Sequence, residues 1–525
     1  MKTEPELKPL PVSTSTFRDI IAGDYLYVDK TKWIYKLIRY PKGAYFLSRP
    51  RRFGKSLLIS TLDEIFQGNR ELFKGLWLYN SPYQWAQHPI IRIDFSLKKV
   101  KSARELEKTI SWLLSLQAQQ HQVVLEGEDH IQQFASLIFQ LAAQNQVVIL
   151  IDEYDNPLIH NLENLAEAEL IQDVLKGFYG VIKALDAQLR FVLLTGVSKF
   201  SRVGVFSDLN NLNDLTMDNQ YAAMLGITQE ELEIYFLDYL HAFVEERGMT
   251  SAHLRARIRA WYNGFCFSRR CELVYNPFSL LLLFQKREFQ NFWFETGTPT
   301  FLIKLIKTRG YDLEQLENLE LEELTFSTYE IEKLQIVPLL FQTGYLTIKA
   351  YEDEDQTYTL SYPNYEVRRA FMAYLLSAYS EVELAFAGSY LKQLARALRA
   401  AAWERFFTVL DTFLAAIDYR LHIKQEKYYQ TIFYLIFKLI GLEINAQVRT
   451  NRGRIDATLE LESDIFIFEF KLDGSAAEAL AQIKEKEYYA RYQLAGKTLH
   501  LVGVNFDMEK RGVGEWLVEN VIRDP

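Results

Sequence analysis

Apolar positions along the first two fifths of the chain fall into two alternating rhythms. Short continuous apolar runs ("AYFLS" from Ala44, "PIIRIDF" from Pro89, "QVVILIDE" from Gln146, "LRFVLLTG" from Leu189) are bounded by polar residues and predict buried strands. Between them lie segments such as "ARELEKTISWLLSLQAQQHQ" from Ala103, whose apolar residues return every three or four positions and predict amphipathic helices. This alternation, from about Phe17 to about Met224, implies a parallel, doubly wound sheet.

From about Thr228 to Leu410 the rhythm becomes mostly helical. "ITQEELEIYFLDYLHAFVEERG" opens on Thr228 as N-cap, places Glu231 at the capping-box position, and has Gly248 just past its end. Within this stretch "LLFQTGYLTIKAYEDEDQTYTLSYPNYEVRRAF" predicts a helix end, two strands about an acidic turn and a further helix, the outline of a winged-helix unit. From about Ile423 onward the order is helix, hairpin, helix, strand, with "KTLHLVGVNF" as the last strand. The expected division is 1–225, a P-loop sheet domain; 226–410, a helical lid and connector; and 411–525, a smaller α/β domain.

Composition narrows the class. The 525 residues are too many for one ordinary core, and 49% apolar, 24% charged residues with only 13 prolines describe folded globular protein. The N-terminal stretch lacks the apolar core of a signal peptide, and "NPFSLLLLF" is too short to span a bilayer, so a cytoplasmic protein without a membrane partner is expected. Two cysteines, Cys266 and Cys271, make neither a disulfide framework nor a zinc site and read as structural. A formal charge of -9 argues against constant, nonspecific phosphate binding, so contact with nucleic acid would be local or conditional.

Chemistry first shows in "SRPRRFGKS", Ser48 to Ser56, which lies between a predicted strand and a predicted helix. Its close, Gly54-Lys55-Ser56, has the parts of a phosphate loop: Gly54 lets the backbone approach, Lys55 neutralises terminal phosphates, and the Ser56 hydroxyl reaches Mg²⁺. Arg49 stands where a first glycine is usual. Pro50 can fix the turn by its locked φ, while Arg49, Arg51 and Arg52 add positive potential beside Phe53 and the anion. A GKS before a helix is weak evidence alone, but "VVILIDEYD" adds Asp152 and Glu153 after a buried strand. There Asp152 would hold Mg²⁺ and Glu153 would orient the attacking water. A third strand ends in Thr195, followed by Ser198, Lys199 and Arg202. Thr195 could sense the γ-phosphate and Arg202 stabilise its charge, although a solvated loop explains these residues equally well.

A second constellation sits in "RGRIDATLELESDIFIFEFKLD". Glu469 and Lys471, two apart on a strand, share a face, with Phe468 and Phe470 on the other. A hairpin turning about Glu462 and Ser463 puts Asp456 opposite Glu469, with Cβ atoms about 5 Å apart. Facing like charges are destabilising unless a cation or proton is shared, and Mg²⁺ is the natural occupant. Lys471 beside it would position and help deprotonate a water.

This D-x12-E-x-K pattern resembles the PD-(D/E)XK nuclease superfamily. The resemblance implies a restriction-endonuclease-like fold, Asp456 and Glu469 as metal ligands, Lys471 as catalytic lysine, Glu426 on the preceding helix as a further acid, and Gln482 on the following helix as an added polar position. Together with "FRDIIAGDYLYVDKT", "RPRRFGKSL", "LIDEYD", "LTGVSKFS", "WYNGFCF" and "VYNPFSL", the chain resembles prokaryotic fusions of an AAA-ATPase-like domain with such a nuclease domain. In that family arginine replaces the first glycine of the loop, and Tyr27, Asp29 and Lys30 match its "YVDKT". The resemblance implies an ATP-controlled, Mg²⁺-dependent nuclease with DNA as the expected substrate and RNA left open, and a defence or mobile-element role fits it. The alternative is a nucleotide-dependent switch or scaffold whose tail binds nucleic acid or protein without cutting. The oligomeric state stays open.

Overall fold

The computed structural model describes residues 7–199, 211–294, 300–323, 336–417, 426–444, 447–450, 456–472, 474–487, 492, 497–507, 509–510 and 512–521. The chain forms two compact units. One comprises Met1–Thr298 with Gln315–Val367, the other Pro299–Glu314 with Arg368–Pro525.

The first unit is built on a parallel five-stranded sheet of β1 (Gly43–Ser48), β2 (Ile90–Asp94), β3 (Val147–Asp152), β4 (Leu189–Gly196) and β5 (Asn213–Asp214), in the order β2-β3-β4-β1-β5. The four strands read from the apolar runs are all present, because a strand covered on both faces needs apolar side chains in both directions. β5 is two residues long and leaves no such run. One face packs on the helix Lys55–Phe66 through Ile59, Leu62 and Phe66, with Phe66 against Phe191 of β4 at 5.1 Å between centroids. β4 lies between β1 and β3, so the ends of all three strands open on one edge, where the connections of a doubly wound sheet leave a crevice.

The middle of this unit is helical, around a second core that includes Phe236, Tyr262 and Phe284. Thr228 and Glu231 form the expected capping box, and Gly248 ends the segment in the left-handed region. The helix is nevertheless two pieces, Gln229–Tyr235 and Leu237–Arg247. The break falls at Phe236, fully buried and stacked on Phe284 at 5.0 Å. Short strands β6 (Ile227–Thr228) and β7 (Val274–Tyr275) pair nearby. The predicted acidic-turn hairpin is β9 (Thr347–Glu352) with β10 (Thr357–Ser361), and an edge strand that the pattern did not announce, β8 (Leu319–Glu322), joins it.

The second unit carries a mixed sheet, β11 (Gln447–Thr450), β12 (Asp456–Glu460), β13 (Asp464–Leu472), β14 (Thr498–Asp507) and β15 (Gly512–Val521), in that order. Only β13 and β14 run parallel. Phe468 and Phe470 face the helix Glu426–Ile444, meeting Phe437 and Phe433 at 4.9 and 4.7 Å. The opposite face, with Ile465 and Ile467, is covered by the helix Ala476–Glu485. "KTLHLVGVNF" is therefore not the last strand: β15 follows it as an edge strand, glycine-bearing and largely solvent-facing, a pattern without the apolar run that marks an interior strand.

Candidate functional site

At the crevice of the first unit, the chain leaves β1, turns through Arg49–Gly54 and starts a helix at Lys55. Gly54 sits at φ 89°, a conformation that L side chains adopt at a cost of about 1 kcal/mol or more, and a Cβ built there would meet nothing within 4 Å. The loop thus presents open space before the first amides of a helix, the arrangement that attracts an anion. Lys55 is almost wholly buried. Its Nζ donates to the carbonyls of Arg49 (3.1 Å) and Pro50 (3.2 Å) and lies 3.4 Å from Glu153 Oε1. Ser56 follows in the first helical turn.

Arg49 does not point at that space. It is 1% exposed, and its guanidinium donates to the carbonyls of Ser48 (2.9 Å), Thr216 (2.7 Å) and Tyr221 (3.3 Å) while lying 4.4 Å over the Phe267 ring. Burial pushes the guanidinium down to about 9, against the pull of Asp214, so it stays charged at neutral pH. The residue in place of the missing glycine is a strut below the loop. The other loop residues are braced as well: Trp293 Nε1 donates to the Arg51 carbonyl (3.1 Å), Arg52 lies 4.5 Å over Phe278, and Phe53 packs edge-on against Phe265 (4.9 Å) and Phe267 (5.3 Å). Gly344, at φ 88°, approaches so closely that a Cβ there would come 2.8 Å from Pro50.

The acids meet this loop from β3. Asp152 is buried, and its Oδ1 accepts from Thr195 Oγ1 (2.5 Å) and from the Glu153 amide (3.1 Å). Glu153 itself has φ 52°, a left-handed turn that brings its carboxylate to Lys55. Sequence reasoning passed over Asp155. Fully buried, it accepts from the amides of Val197 (3.1 Å) and Ser198 (2.6 Å) and from Ser198 Oγ (2.5 Å), tying the end of β4 to the turn that carries Glu153. Burial, then the Glu153 charge, raise its carboxyl to about 6 despite those donors. The signal was available: a third acid three residues after Asp152, preceded by an aromatic and followed by Asn-Pro. Lys199 is paired with Asp214 at 2.5 Å, and Arg202 lies outside the described residues.

Beside the loop is an apolar cavity of about 110 Å³ whose walls include Leu26, Val28, Gly54, Ile227, Pro277 and Leu281. Lys30 reaches its rim, held by Glu231 (2.6 Å) and the Ala223 carbonyl (2.9 Å), while Asp29 fixes Thr31 and the Trp77 amide. The "YVDKT" stretch, whose spacing announced no role, thus forms one wall of this cavity.

In the second unit the β12–β13 register sets Asp456 directly opposite Glu469, as the hairpin spacing predicts. Glu469 is buried. Gln482 donates to its Oε1 and accepts from Lys471, whose Nζ lies 3.7 Å from the same oxygen. Gln482 reaches the sheet because its helix sits unusually close: a Cβ on Gly503, the β14 partner of Glu469, would come 2.4 Å from the Ala476 carbonyl. Glu426 begins the helix that packs on the other face. The side chains of Glu426 and Asp456 lie outside the described ones. Among the described residues, which leave out the Glu426 and Asp456 side chains, no group of three or more His, Cys, Asp or Glu side chains meets.

A P-loop parallel-sheet domain and a mixed-sheet domain with an acid–acid–lysine hairpin define the class: a nucleotide-hydrolysing protein with a nuclease-like domain. Residues 11–206 match the family described as "Predicted AAA-ATPase", and residues 424–516 the PD-(D/E)XK nuclease superfamily. An "Uncharacterized protein in vnfD 5'region" of Azotobacter chroococcum mcd 1 is 39% identical over 528 residues, covering 98% of this chain and 99% of that one. The chain belongs to the family that joins a predicted AAA-ATPase domain to a C-terminal PD-(D/E)XK nuclease-superfamily domain. Among the described residues, no helix is long and apolar enough to cross a membrane.

Proposed function

We propose that the protein is an ATP-controlled phosphodiesterase, cutting DNA when its nucleotide state permits. The observation carrying the cutting half is the pairing of Asp456 with Glu469 across adjacent strands, with Lys471 on the Glu469 face. Asp456 and Glu469 would hold Mg²⁺, which supplies charge stabilisation and a more acidic water when bound. Lys471, oriented by Gln482, would hold that water in line and stabilise the hydroxide left when its proton passes to solvent, while Gln482 keeps the Glu469 carboxylate turned toward the cation position.

In the first unit, Lys55 exchanges its loop carbonyls and Glu153 for the terminal phosphates of ATP. Glu153, released from Lys55, orients the attacking water, and Asp152 with Ser56 would hold the accompanying Mg²⁺. Thr195 keeps Asp152 aimed at that position. Pro50, Arg51, Arg52 and Phe53 shape the loop, and Arg49 supports it from below. The apolar cavity beside Gly54, lined by Leu26, Val28 and Leu281, offers an apolar wall for the edge of the nucleobase. The net charge of -9 suits an enzyme that grips its substrate only in one nucleotide state.

The test is incubation of the pure protein with ATP and Mg²⁺ on linear, circular and single-stranded DNA and on RNA, beside Lys55→Ala and Asp456→Ala. ATP-dependent DNA cleavage lost in both variants is the expected result. Cleavage that survives Asp456→Ala would remove the hairpin from the mechanism, and nucleotide affinity unchanged by Lys55→Ala would remove the phosphate grip. Nucleic-acid binding with no cleavage by the unmodified protein would establish the switch or scaffold reading instead.

A further inference from the structure

The two cysteines occupy a place that their number did not suggest. Cys266 is buried within the "WYNGFCF" segment, between the two phenylalanines on which the phosphate loop rests. The chain then turns through Phe267–Arg270, the Cys271 amide donating to the Ser268 carbonyl at 3.1 Å and Cys271 taking φ 51°. That turn returns Cys271 to the same strand as Cys266. The Cys266 amide donates to Thr347 Oγ1 (2.7 Å), and the Cys271 thiol contacts the carbonyl of the next residue, Ile348, at 3.3 Å. The Cys266 thiol donates to the Ser268 carbonyl (3.2 Å), the same oxygen that takes the Cys271 amide, so both cysteines converge on one turn, with Lys349 next along the strand from Ile348. Both are free, and Cys271 is partly open to solvent.

We propose that Cys266 and Cys271 are a peroxide-oxidised dithiol site whose disulfide loosens the shelf under the phosphate loop. The neighbouring Cys266 thiol, opposed by partial burial and helped by Lys349, draws the Cys271 thiol below its ordinary range, while the Cys271 thiol and burial push Cys266 up. Cys271, partly open to solvent where Cys266 is buried, is the thiolate that peroxide reaches and that attacks, and Cys266 is the thiol that resolves. The Cys271 thiolate attacks a peroxide oxygen, the O–O bond breaks, hydroxide leaves and a sulfenic acid remains. The Cys266 sulfur then attacks the sulfenic sulfur, an S–S bond forms, and the Cys266 proton leaves with the hydroxyl as water. The dithiol loses two electrons, which the peroxide takes up.

The consequence for the loop follows from distance. A sulfur–sulfur bond is about 2.05 Å long, shorter than any contact between unbonded thiols, so the turn must draw in on Cys266. Phe267, next to Cys266, carries the Arg49 guanidinium and one edge of Phe53. A displaced Phe267 shifts both supports of the loop, and ATP binding weakens. This last step rests on the nucleotide site proposed above.

The experiment treats the full-length protein with hydrogen peroxide, then measures intact mass, peptide maps and ATP affinity, with Cys271→Ser and dithiothreitol-reversed samples alongside. Expected are a loss of about 2 Da per chain, a Cys266–Cys271 linked peptide, and an ATP Kd raised about tenfold that returns on reduction. Cys271→Ser should keep its mass and its affinity through the same treatment. Cys271 recovered as sulfinic acid with Cys266 still a free thiol would overturn the site, and a disulfide with unchanged Kd would overturn its link to the loop. Reduced protein that binds no ATP would sink the nucleotide reading alone, since the linked peptide reports on the cysteines without it.

Discussion

The loop around Lys55 and the acidic hairpin each hold buried charge, in opposite ways. The loop keeps a cation: Lys55 is buried among carbonyls of its own turn and one carboxylate, contacts that on the proposed reading an incoming phosphate replaces. The hairpin keeps an anion: Glu469 is buried with an amide and a lysine turned toward it. They differ also in how far along the chain their support reaches. The hairpin site is assembled from adjacent strands and the next helix, within residues 456 to 482. The loop is braced from Thr216, Phe265, Phe267, Trp293 and Gly344, far along the chain. Chemistry can be placed by local spacing, whereas the rigidity of a six-residue turn has to be supplied from elsewhere in the fold.

The comparison breaks most sharply if removing charge at one site disturbs the other. Lys471→Met should lower DNA cleavage by about 10²–10⁴-fold, the range for losing a positioned proton-transfer group, and leave ATP hydrolysis measured without DNA unchanged. A parallel fall in hydrolysis would mean that the hairpin does not act independently. Glu153→Gln should lower hydrolysis by about 10²–10³-fold while ATP binding is kept or tightened, because the amide no longer attracts Lys55 away from the phosphates. Loss of binding in that variant would assign Glu153 to the grip rather than to the water.

A smaller change tests whether the hairpin is tuned by its neighbour. Gln482→Ala should cost about 10–100-fold in cleavage or in Mg²⁺ dependence, the usual effect of removing a group that orients a metal ligand. Gln482→Glu separates orientation from volume: it keeps the size but places a second carboxylate against Glu469. Cleavage by Gln482→Ala equal to that of the unmodified protein would leave Glu469 and Lys471 self-sufficient.

Legibility followed the same division. The strands β1 to β4, the capping box at Thr228 and the facing of Asp456 with Glu469 could all be read from runs and spacings, because each depends on residues close in sequence. What escaped was set by tertiary contact. β5 and β15 are an edge pair of two residues and a glycine-bearing edge strand, neither of which needs an apolar run. Arg49 reads locally as one more cation beside an anion, and only the fold shows its donors taken by Thr216 and Tyr221. The use of "YVDKT" likewise appears only when Leu26 and Val28 are seen across a cavity from Pro277 and Leu281.

Asp155 offers the finest test of how the loop's surroundings are held. Its carboxyl, raised to about 6 by burial and by Glu153, holds a proton in the native state over a range where the unfolded chain, with an ordinary value of 3.8, has released it. The native state therefore binds more protons between about pH 4 and 6, and this group makes stability fall as pH rises through that window, by at most about 1.4 kcal/mol per pH unit. Asn at this position carries no titrating proton. Asp155→Asn should flatten that part of the curve of unfolding free energy against pH, read from urea titrations at half-unit steps, while losing about 1–3 kcal/mol overall because an amide nitrogen now faces the donors at Val197 and Ser198. A variant curve parallel to that of the unmodified protein would mean that Asp155 is already ionised throughout, its three donors outweighing burial. In that case the end of β4 would be tied to the Glu153 turn by a full charge at every working pH.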